Sequence, residues 1–279
     1  MSSPNDPPTL HSLGDHVLGQ IGLHAGGSAD ACGSDLHLHL SPLLLEEDGH
    51  VDFGVLGVFL DLASGHVAGL RPFLHADIGI HRIARPAGEL LRVESRVLRE
   101  GKRTAIVHLT ARDDQGVLVA DSTQQLAFPT VKVDPEVSRE NREALRAQFM
   151  SQFDGQCRLP GRMHDIIGLQ EEAGPDGSPH WTMPLTVRSR NTFGGLHGGV
   201  AFDLVTEAAA GAADRVAGPV EAKSALLRYL APATGGPMRA VPTVLPQDDG
   251  SVFVRVEVHD DGKDGRLCIV GEVHLAARR

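Results

Sequence analysis

One order of predicted elements occurs twice along this chain, and the repetition restricts the folds that the chain can adopt. Each half contains a short strand, a long apolar helix and then four strands separated by turn residues. In the first half the strand is 35–40, the helix is 54–70, and the four strands are 75–84, 89–99, 104–112 and 117–128. In the second half they are 181–188, 197–213, 222–230, 238–245, 252–259 and 267–276. Four consecutive strands after one helix favour an antiparallel α+β fold over alternating βαβ units.

Two pairs of landmarks place the halves in register. Pro86 and Pro232 each follow the first strand after the helix and lie 146 positions apart, and Gly54 and Gly199 lie 145 positions apart at the helix starts. A near-constant offset indicates a tandem duplication. We therefore expect a mobile tail at 1–12, a first domain at 13–133, a charged helical connector at 134–160 and a second domain at 161–279.

Composition excludes several classes of protein. The net charge is −10, with 36 acidic and 26 basic residues, and no basic run or stripe suited to nucleic acid is present. No apolar run reaches the roughly 18–20 residues of a membrane span. Cys32, Cys157 and Cys268 are odd in number and widely spaced, which argues against a disulfide framework and a zinc site. The N-terminal residues lack the pattern of a secretory signal, so a cytoplasmic protein is expected.

A glycine-rich turn, residues 191–199 (NTFGGLHGG), leads into the second long helix. The first N–H groups of a helix have no partner within it, and they point along the positive end of the helix dipole. Such a turn can hold an anion or a developing oxyanion, and its glycines allow a ligand to approach the backbone closely.

On this turn and on the repeat, the chain resembles the hotdog-fold acyl-CoA thioesterases of the phenylacetyl-CoA and 4-hydroxybenzoyl-CoA type. The pattern of that family is Asn or Gln, then His-Gly-Gly, then Asp or Glu seven residues after the second glycine. The resemblance covers most of 35–128 and 165–276. It implies two tandem hotdog domains, each an antiparallel sheet wrapped around a long central helix, paired as an intrachain pseudo-dimer.

Each repeat carries half of the family pattern. The second repeat has the Asn at Asn191 and the His-Gly-Gly at 197–199, but Thr206 stands where the carboxylate belongs. Glu207 comes one position later, which rotates it by about 100° around the helix.

The first repeat has the carboxylate of the pattern but lacks the residues of the turn. Glu46, Asp52 and Phe53 occupy the turn positions, whereas Asp61 stands in the carboxylate position. In the family the turn and the carboxylate come from different subunits. The resemblance therefore implies one complete site, in which the second repeat's turn faces Asp61, and an inactive mirror site beside Thr206.

The resemblance also implies roles for the residues of the complete site. The Gly198 N–H would stabilise the oxyanion formed from the thioester, and Asp61 would act as general base or as nucleophile. Asn191 would orient the attacking water or the carbonyl, and His197 would shape the turn more than it carries protons. The expected substrate-binding residues are Gly199, Ser64, Arg82 and Arg228, with the two arginines directed at CoA phosphates.

Structural roles for the same residues stay open at this point. Asp61 can be a buried acid bonded to backbone amides, and Asn191 and His197 can simply stabilise a turn. Asp203 and Glu207, one turn apart, border the pocket or lie on a solvated edge. The histidines, His37 and His39 among them, lack the spacing of a metal motif, so neither a metal nor a cofactor is predicted.

The leading interpretation is an acyl-CoA thioesterase that assembles as a homo-oligomer of double-hotdog chains, with no nucleic-acid or membrane partner. The main alternative is an acyl-CoA binding protein without catalysis, because neither copy of the motif is intact. A hotdog hydratase requires another Asp and His motif, which the sequence lacks. A structural assembly subunit is a third alternative.

Overall fold

A computed structural model describes residue 13 and residues 15–26, 33–67, 73–128, 148–175, 177–191, 193–245 and 251–278. The described helices are α1 (Val17–Gln20), α2 (Phe53–Val67), α3 (Met163–Ile166) and α4 (Val200–Ala217). The strands of the first half are β1 (Leu23–Ala25), β2 (Gly33–His39), β3 (Leu74–Arg82), β4 (Leu90–Glu100), β5 (Thr104–Asp113) and β6 (Leu118–Ala127). Those of the second half are β7 (Gln170–Ala173), β8 (Pro179–Met183), β9 (Val220–Tyr229), β10 (Met238–Leu245), β11 (Ser251–Asp260) and β12 (Arg266–Ala277).

All of these strands belong to one antiparallel sheet with the order β1-β2-β4-β5-β6-β3-β9-β12-β11-β10-β8-β7. The two halves of this order are equivalent: β2-β4-β5-β6-β3 in the first half matches β8-β10-β11-β12-β9 in the second. They join where β3 pairs with β9, from Asp77 opposite Arg228 to His81 opposite Ser224. The two halves of the chain therefore have the same strand order within one continuous sheet.

The two long helices, α2 and α4, pack against each other through glycines. A Cβ atom at Gly199 would lie 2.5 Å from the Gly57 carbonyl oxygen and from Val58 Cα, and one at Gly57 would lie 2.6 Å from the Gly199 carbonyl oxygen. Further along, Gly54 of α2 meets Asp203 of α4, so the helices run antiparallel. Both landmark glycines of the repeat are thus positions where only hydrogen fits, at Gly199 against the backbone of α2 and at Gly54 against the Asp203 side chain.

Burial on both sides explains the composition of α2. Val55, Val58, Phe59 and Leu60 are all fully buried, because α4 covers one side of the helix and the sheet covers the other. Helix α4 ends at Ala217, where Gly218 adopts a φ of 72° and caps the helix. Among the described residues, no helix has the length and apolarity needed to cross a membrane.

The predicted strands and both long helices are confirmed, with ends that differ by a few residues. The strand predicted at 181–188 is the exception, since β8 ends at Met183. Pro184 follows and has no N–H for a sheet ladder, and Ser189 then closes a turn by donating its N–H to the Thr186 carbonyl oxygen. The predicted tail at 1–12 and most of the predicted connector, 134–147, lie outside the described residues.

Candidate active site

The Asp61 carboxylate of the first repeat lies against the start of helix α4 in the second repeat. Its Oδ2 atom accepts a hydrogen bond of 2.5 Å from the Gly199 N–H. A Cβ atom added at Gly198 would stand 2.8 Å from the same Oδ2. Asp61 is only 7% exposed, so the N–H group and the helix dipole stabilise a carboxylate that burial would otherwise destabilise. The structure thus brings together the two half-motifs.

His197 completes the contact between the turn and Asp61. Its Nδ1 atom accepts from the Gly199 N–H at 3.1 Å and lies 3.3 Å from Asp61 Oδ2. The Gly199 N–H is therefore shared between a carboxylate and an imidazole. The neighbouring N–H, that of Gly198, donates to no described residue, which leaves it available to a ligand.

His75, which the sequence did not single out, faces the other oxygen of the carboxylate. Its Nδ1 atom lies 3.5 Å from Asp61 Oδ1. Its Nε2 atom lies 2.9 Å from both Ser64 Oγ and Gln124 Oε1. Ser64 Oγ donates to the Asp61 carbonyl oxygen at 2.8 Å, so it accepts from His75, and the ring carries its proton on Nε2.

The environment of His75 keeps the ring neutral. Burial lowers the pKa of His75, and the nearby Asp61 carboxylate opposes that shift only in part. The Nδ1 lone pair therefore points toward Asp61 Oδ1 from a neutral imidazole. Two acceptors at this separation suit a bridging water that donates one hydrogen bond to each.

Tyr229 of β9 holds the turn from the opposite side. Its hydroxyl donates to the Gly198 carbonyl oxygen at 2.8 Å. Burial raises the pKa of Tyr229 well above its usual value, with a further contribution from Asp61, so the hydroxyl stays a donor. The bond acts on the peptide group whose N–H, at Gly199, binds Asp61.

Asn191 stabilises the turn itself. Its Oδ1 atom accepts from the Phe193 and Gly195 N–H groups at 2.9 and 3.0 Å, and its Nδ2 atom donates to the Leu196 carbonyl oxygen at 3.2 Å. Both ends of the amide are therefore occupied within the turn. These contacts match the structural role that the sequence left open, and they give no support to the water-orienting role.

The two arginines expected at the CoA phosphates lie elsewhere. Arg82 is 5% exposed and forms an ion pair with Glu46 in the mirror site, over the Phe53 ring. Arg228 is on the sheet face opposite Tyr229, where it pairs with Glu272 at 2.9 Å. In these positions neither side chain is directed at the Asp61 site.

The mirror site differs from the Asp61 site in chemistry. The hydroxyl of Thr206, the counterpart of Asp61, donates to the Phe202 carbonyl oxygen within its own helix at 2.7 Å. Asp52, the counterpart of His197, accepts from the Val55 N–H at 3.0 Å and caps α2. The mirror site thus has a hydroxyl bonded within its own helix at the position of Asp61 and a capping carboxylate at the position of His197.

Two further carboxyl groups of α4 lie at the mirror site, of which Asp203 is buried and Glu207 is half-buried. Burial raises the pKa of Asp203 well above its usual value, and the charges of Asp52 and Glu207 add to the effect. Burial, followed by the charges of Asp52 and Glu46, raises the pKa of Glu207 to about 7. The sequence placed both residues on α4 but did not indicate how deeply they are buried.

The buried polar residues of the Asp61 site leave a partial signal in the sequence. In β6 the inward positions are Ala120, Ser122, Gln124 and Leu126, and strand alternation places two polar side chains among two apolar ones. Polar residues at inward positions of a strand mark places where a buried hydrogen-bonding network is needed. The sequence could therefore have indicated Gln124 as a buried polar residue. The hydrogen-bond partners of His75 and Tyr229 could not be predicted, because they depend on tertiary contacts.

No protein-family model and no curated protein sequence matches the chain. Solved structures do match its fold. A proposed thioesterase of Novosphingobium aromaticivorans has a TM-score of 0.63 at 17% identity, covering 92% of this chain and 99% of that one. The TesB protein of Mycobacterium avium subspecies paratuberculosis has a TM-score of 0.62 at 13% identity, covering 96% and 100%. A protein of Alicyclobacillus acidocaldarius described as having a hot dog fold has a TM-score of 0.53 at 12% identity, covering 95% and 98%. These likenesses, together with the antiparallel sheet and its two central helices, show that the chain has a hotdog fold.

Proposed function

We propose that the chain is an acyl-CoA thioesterase, built as two tandem hotdog domains with one composite active site between them. The observation that carries the proposal is the contact of Asp61, from the first repeat, with the Gly198–Gly199 backbone of the second. The first repeat supplies the carboxylate that the second lacks, and the second supplies the glycine-rich turn that the first lacks. The hotdog neighbours described as thioesterases support the same activity.

The Gly198 N–H is the proposed oxyanion donor. It lies at the start of α4 and is free of described partners, so it can bind the thioester oxygen as negative charge develops there. Loss of one such donor typically costs about 10²–10³ in rate. Tyr229 and His197 position this backbone through their contacts with the Gly198 carbonyl oxygen and the Gly199 N–H.

Asp61 is the proposed general base. Its Oδ2 is held by the Gly199 N–H, so Oδ1 is the oxygen that can act on water. A water that donates to Asp61 Oδ1 and to His75 Nδ1 would present its lone pair to the thioester carbon. Water adds to the carbonyl, its proton passes to Asp61, and collapse of the oxyanion breaks the C–S bond. The CoA thiolate leaves and takes up a proton, which gives the free acid and CoA.

The test is release of free thiol from a panel of acyl-CoA esters with short, medium and aromatic acyl groups. Asp61→Asn should lower kcat by about 10²–10⁴-fold, because a general base contributes on that scale. Asparagine keeps an oxygen that can accept the Gly199 N–H, so the fold should persist.

Thr206→Val is the matched control. It alters the counterpart of Asp61 in the other helix, and the hydroxyl it removes bonds only within α4. We expect wild-type turnover from this variant. If the wild-type protein released no thiol from any ester while acyl-CoA raised its Tm, the chain would be an acyl-CoA binding protein.

A further inference from the structure

Four ligand-type side chains converge in the mirror site. Asp52 caps α2, His164 lies on α3, and Asp203 and Glu207 lie one turn apart on α4. One ligand atom from each lies within 4.8 Å of the others. Three segments that are distant in sequence therefore present carboxylate and imidazole groups to a single point.

Asp203 is buried without a partner. It is 1% exposed, and neither of its carboxylate oxygens has a hydrogen-bond donor among the described residues. The Nδ1 atom of His164 is likewise buried and unpartnered within the described part of the chain. Buried polar groups are almost always satisfied, and an isolated carboxylate in such surroundings needs a proton or a cation.

The backbone makes room for this carboxylate. A Cβ atom at Gly54 would lie 2.6 Å from Asp203 Cβ and 2.7 Å from its Cγ, so the glycine admits the Asp203 side chain between the helices. The same glycine position in the second repeat, Gly199, instead donates its N–H to Asp61.

The local charge favours a cation. The charged groups with the largest effect on Asp203 are acidic, namely Asp52, Glu207, Asp165 and Glu46. Arg162 and Arg278 offset part of the charge around Glu207. A second cluster, formed by Asp48, His50 and Glu221, differs in its charge. Its Glu221 is paired with Lys223 and lies 3.6 Å from Arg82.

We propose that Asp52, His164, Asp203 and Glu207 bind one divalent transition-metal ion, of which Zn²⁺ is the best match. Four ligands that combine imidazole with carboxylate suit Zn²⁺, and Mn²⁺ accepts the same donors. Ligand atoms around one ion at about 2.0–2.2 Å stand roughly 3–4.4 Å apart, so a small closure of these side chains forms the site. Mg²⁺ and Ca²⁺ prefer oxygen donors and should bind more weakly. The ion would tie α2, α3 and α4 together opposite the Asp61 site.

The experiment is titration of the metal-stripped protein with Zn²⁺, and separately with Mn²⁺, by calorimetry and thermal melting. We expect one ion per chain at this site, and a rise in Tm of about 5 °C when the free ion is about 100-fold above its dissociation constant. The double variant Asp203→Asn with Glu207→Gln keeps the side-chain shapes and removes two charges. It should lose more than about 100-fold in affinity, since even outer-shell changes cost 10–100-fold.

Asp48→Asn is the control, because it alters the neighbouring acidic cluster and leaves the four ligands intact. It should bind Zn²⁺ as the wild-type protein does. If the double variant fails to fold, His164→Gln serves in its place, with the same expected loss.

Two results would overturn the proposal. The first is absence of saturable Zn²⁺ and Mn²⁺ binding to the wild-type protein; a higher Tm for the double variant would then mean that protons neutralise these carboxyl groups. The second is Zn²⁺ binding that the double variant and His164→Gln leave unchanged, which would place the ion on other histidines of the surface.

Discussion

Gly198 and Gly199 are adjacent, yet the structure predicts opposite consequences for alanine at the two positions. At Gly199 the added Cβ would stand 2.5 Å from the Gly57 carbonyl oxygen and Val58 Cα, atoms of a rigid backbone. Helices α2 and α4 must then move apart. Overpacking of this kind costs about 1–3 kcal/mol, or about 2–5 °C in Tm for a chain of this size.

At Gly198 the same methyl group would meet side chains instead. The nearest atoms are Asp61 Oδ2 at 2.8 Å, Tyr229 Oη at 3.4 Å and His75 Nδ1 at 3.6 Å. A shift of a few tenths of an ångström in the carboxylate relieves the contact, so Tm should change little. The methyl group, however, enters the space between the proposed base and the oxyanion donor. Misplacement of reacting groups by about 1 Å can cost 10²-fold, and we expect at least that loss in kcat/KM.

Thermal melts and thiol-release kinetics on both variants test this reasoning. Gly198→Ala should be stable and nearly inactive, whereas Gly199→Ala should be less stable. Wild-type kcat/KM in Gly198→Ala would contradict the position of the active site. An unchanged Tm in Gly199→Ala would contradict the close packing of the helices.

Three further results are expected. One turnover in ¹⁸O-water should label the product acid and leave Asp61 unlabelled, because a general base exchanges no oxygen with water. Label in Asp61, detected by peptide mass spectrometry, would instead indicate an anhydride intermediate. Tyr229→Phe should lower kcat/KM by about 5-fold, since a hydrogen bond of about 1 kcal/mol to the Gly198 carbonyl oxygen is lost; an unchanged value would remove Tyr229 from the positioning role. The free energy of unfolding should fall below pH 6.5. Burial, with a smaller contribution from His197, lowers the pKa of His16 to about 3 in the folded protein. Between these pH values only the unfolded chain takes up a proton at His16. The loss at pH 5 is about 2 kcal/mol, and chemical denaturation of His16→Gln should show a smaller pH dependence; an equal dependence would assign the effect to other groups.

The fold could be predicted largely from the sequence because hydrophobic periodicity reports local structure directly. The alternation of valines at 252–258 predicts a strand, and the mostly apolar run at 54–67 is long enough to predict a buried helix. Short elements were missed for the same reason. Helix α3 has one turn, and edge strand β7 has four exposed residues, so neither carries a periodic signal.

The candidate site could be predicted in part. The resemblance to the hotdog thioesterases, applied across the two repeats, implied that Asp61 faces the second turn, and the structure brings the two into contact. Spacing alone could not show that the Asn191 amide is occupied within the turn, or that Arg82 is buried beside Glu46. Those contacts depend on how separate segments pack, which no local pattern in the sequence reports.

The junction of β3 with β9 has a consequence for how such a protein can diverge. In a dimer of identical subunits, each substitution changes both symmetry-related sites at once. Here the two halves of the sheet belong to one polypeptide, so Asp61 and Thr206 can differ although they occupy equivalent positions. One site can keep the residues of hydrolysis while the other loses them and gathers carboxylates. A single polypeptide thus lets equivalent positions in the two halves of one sheet change independently.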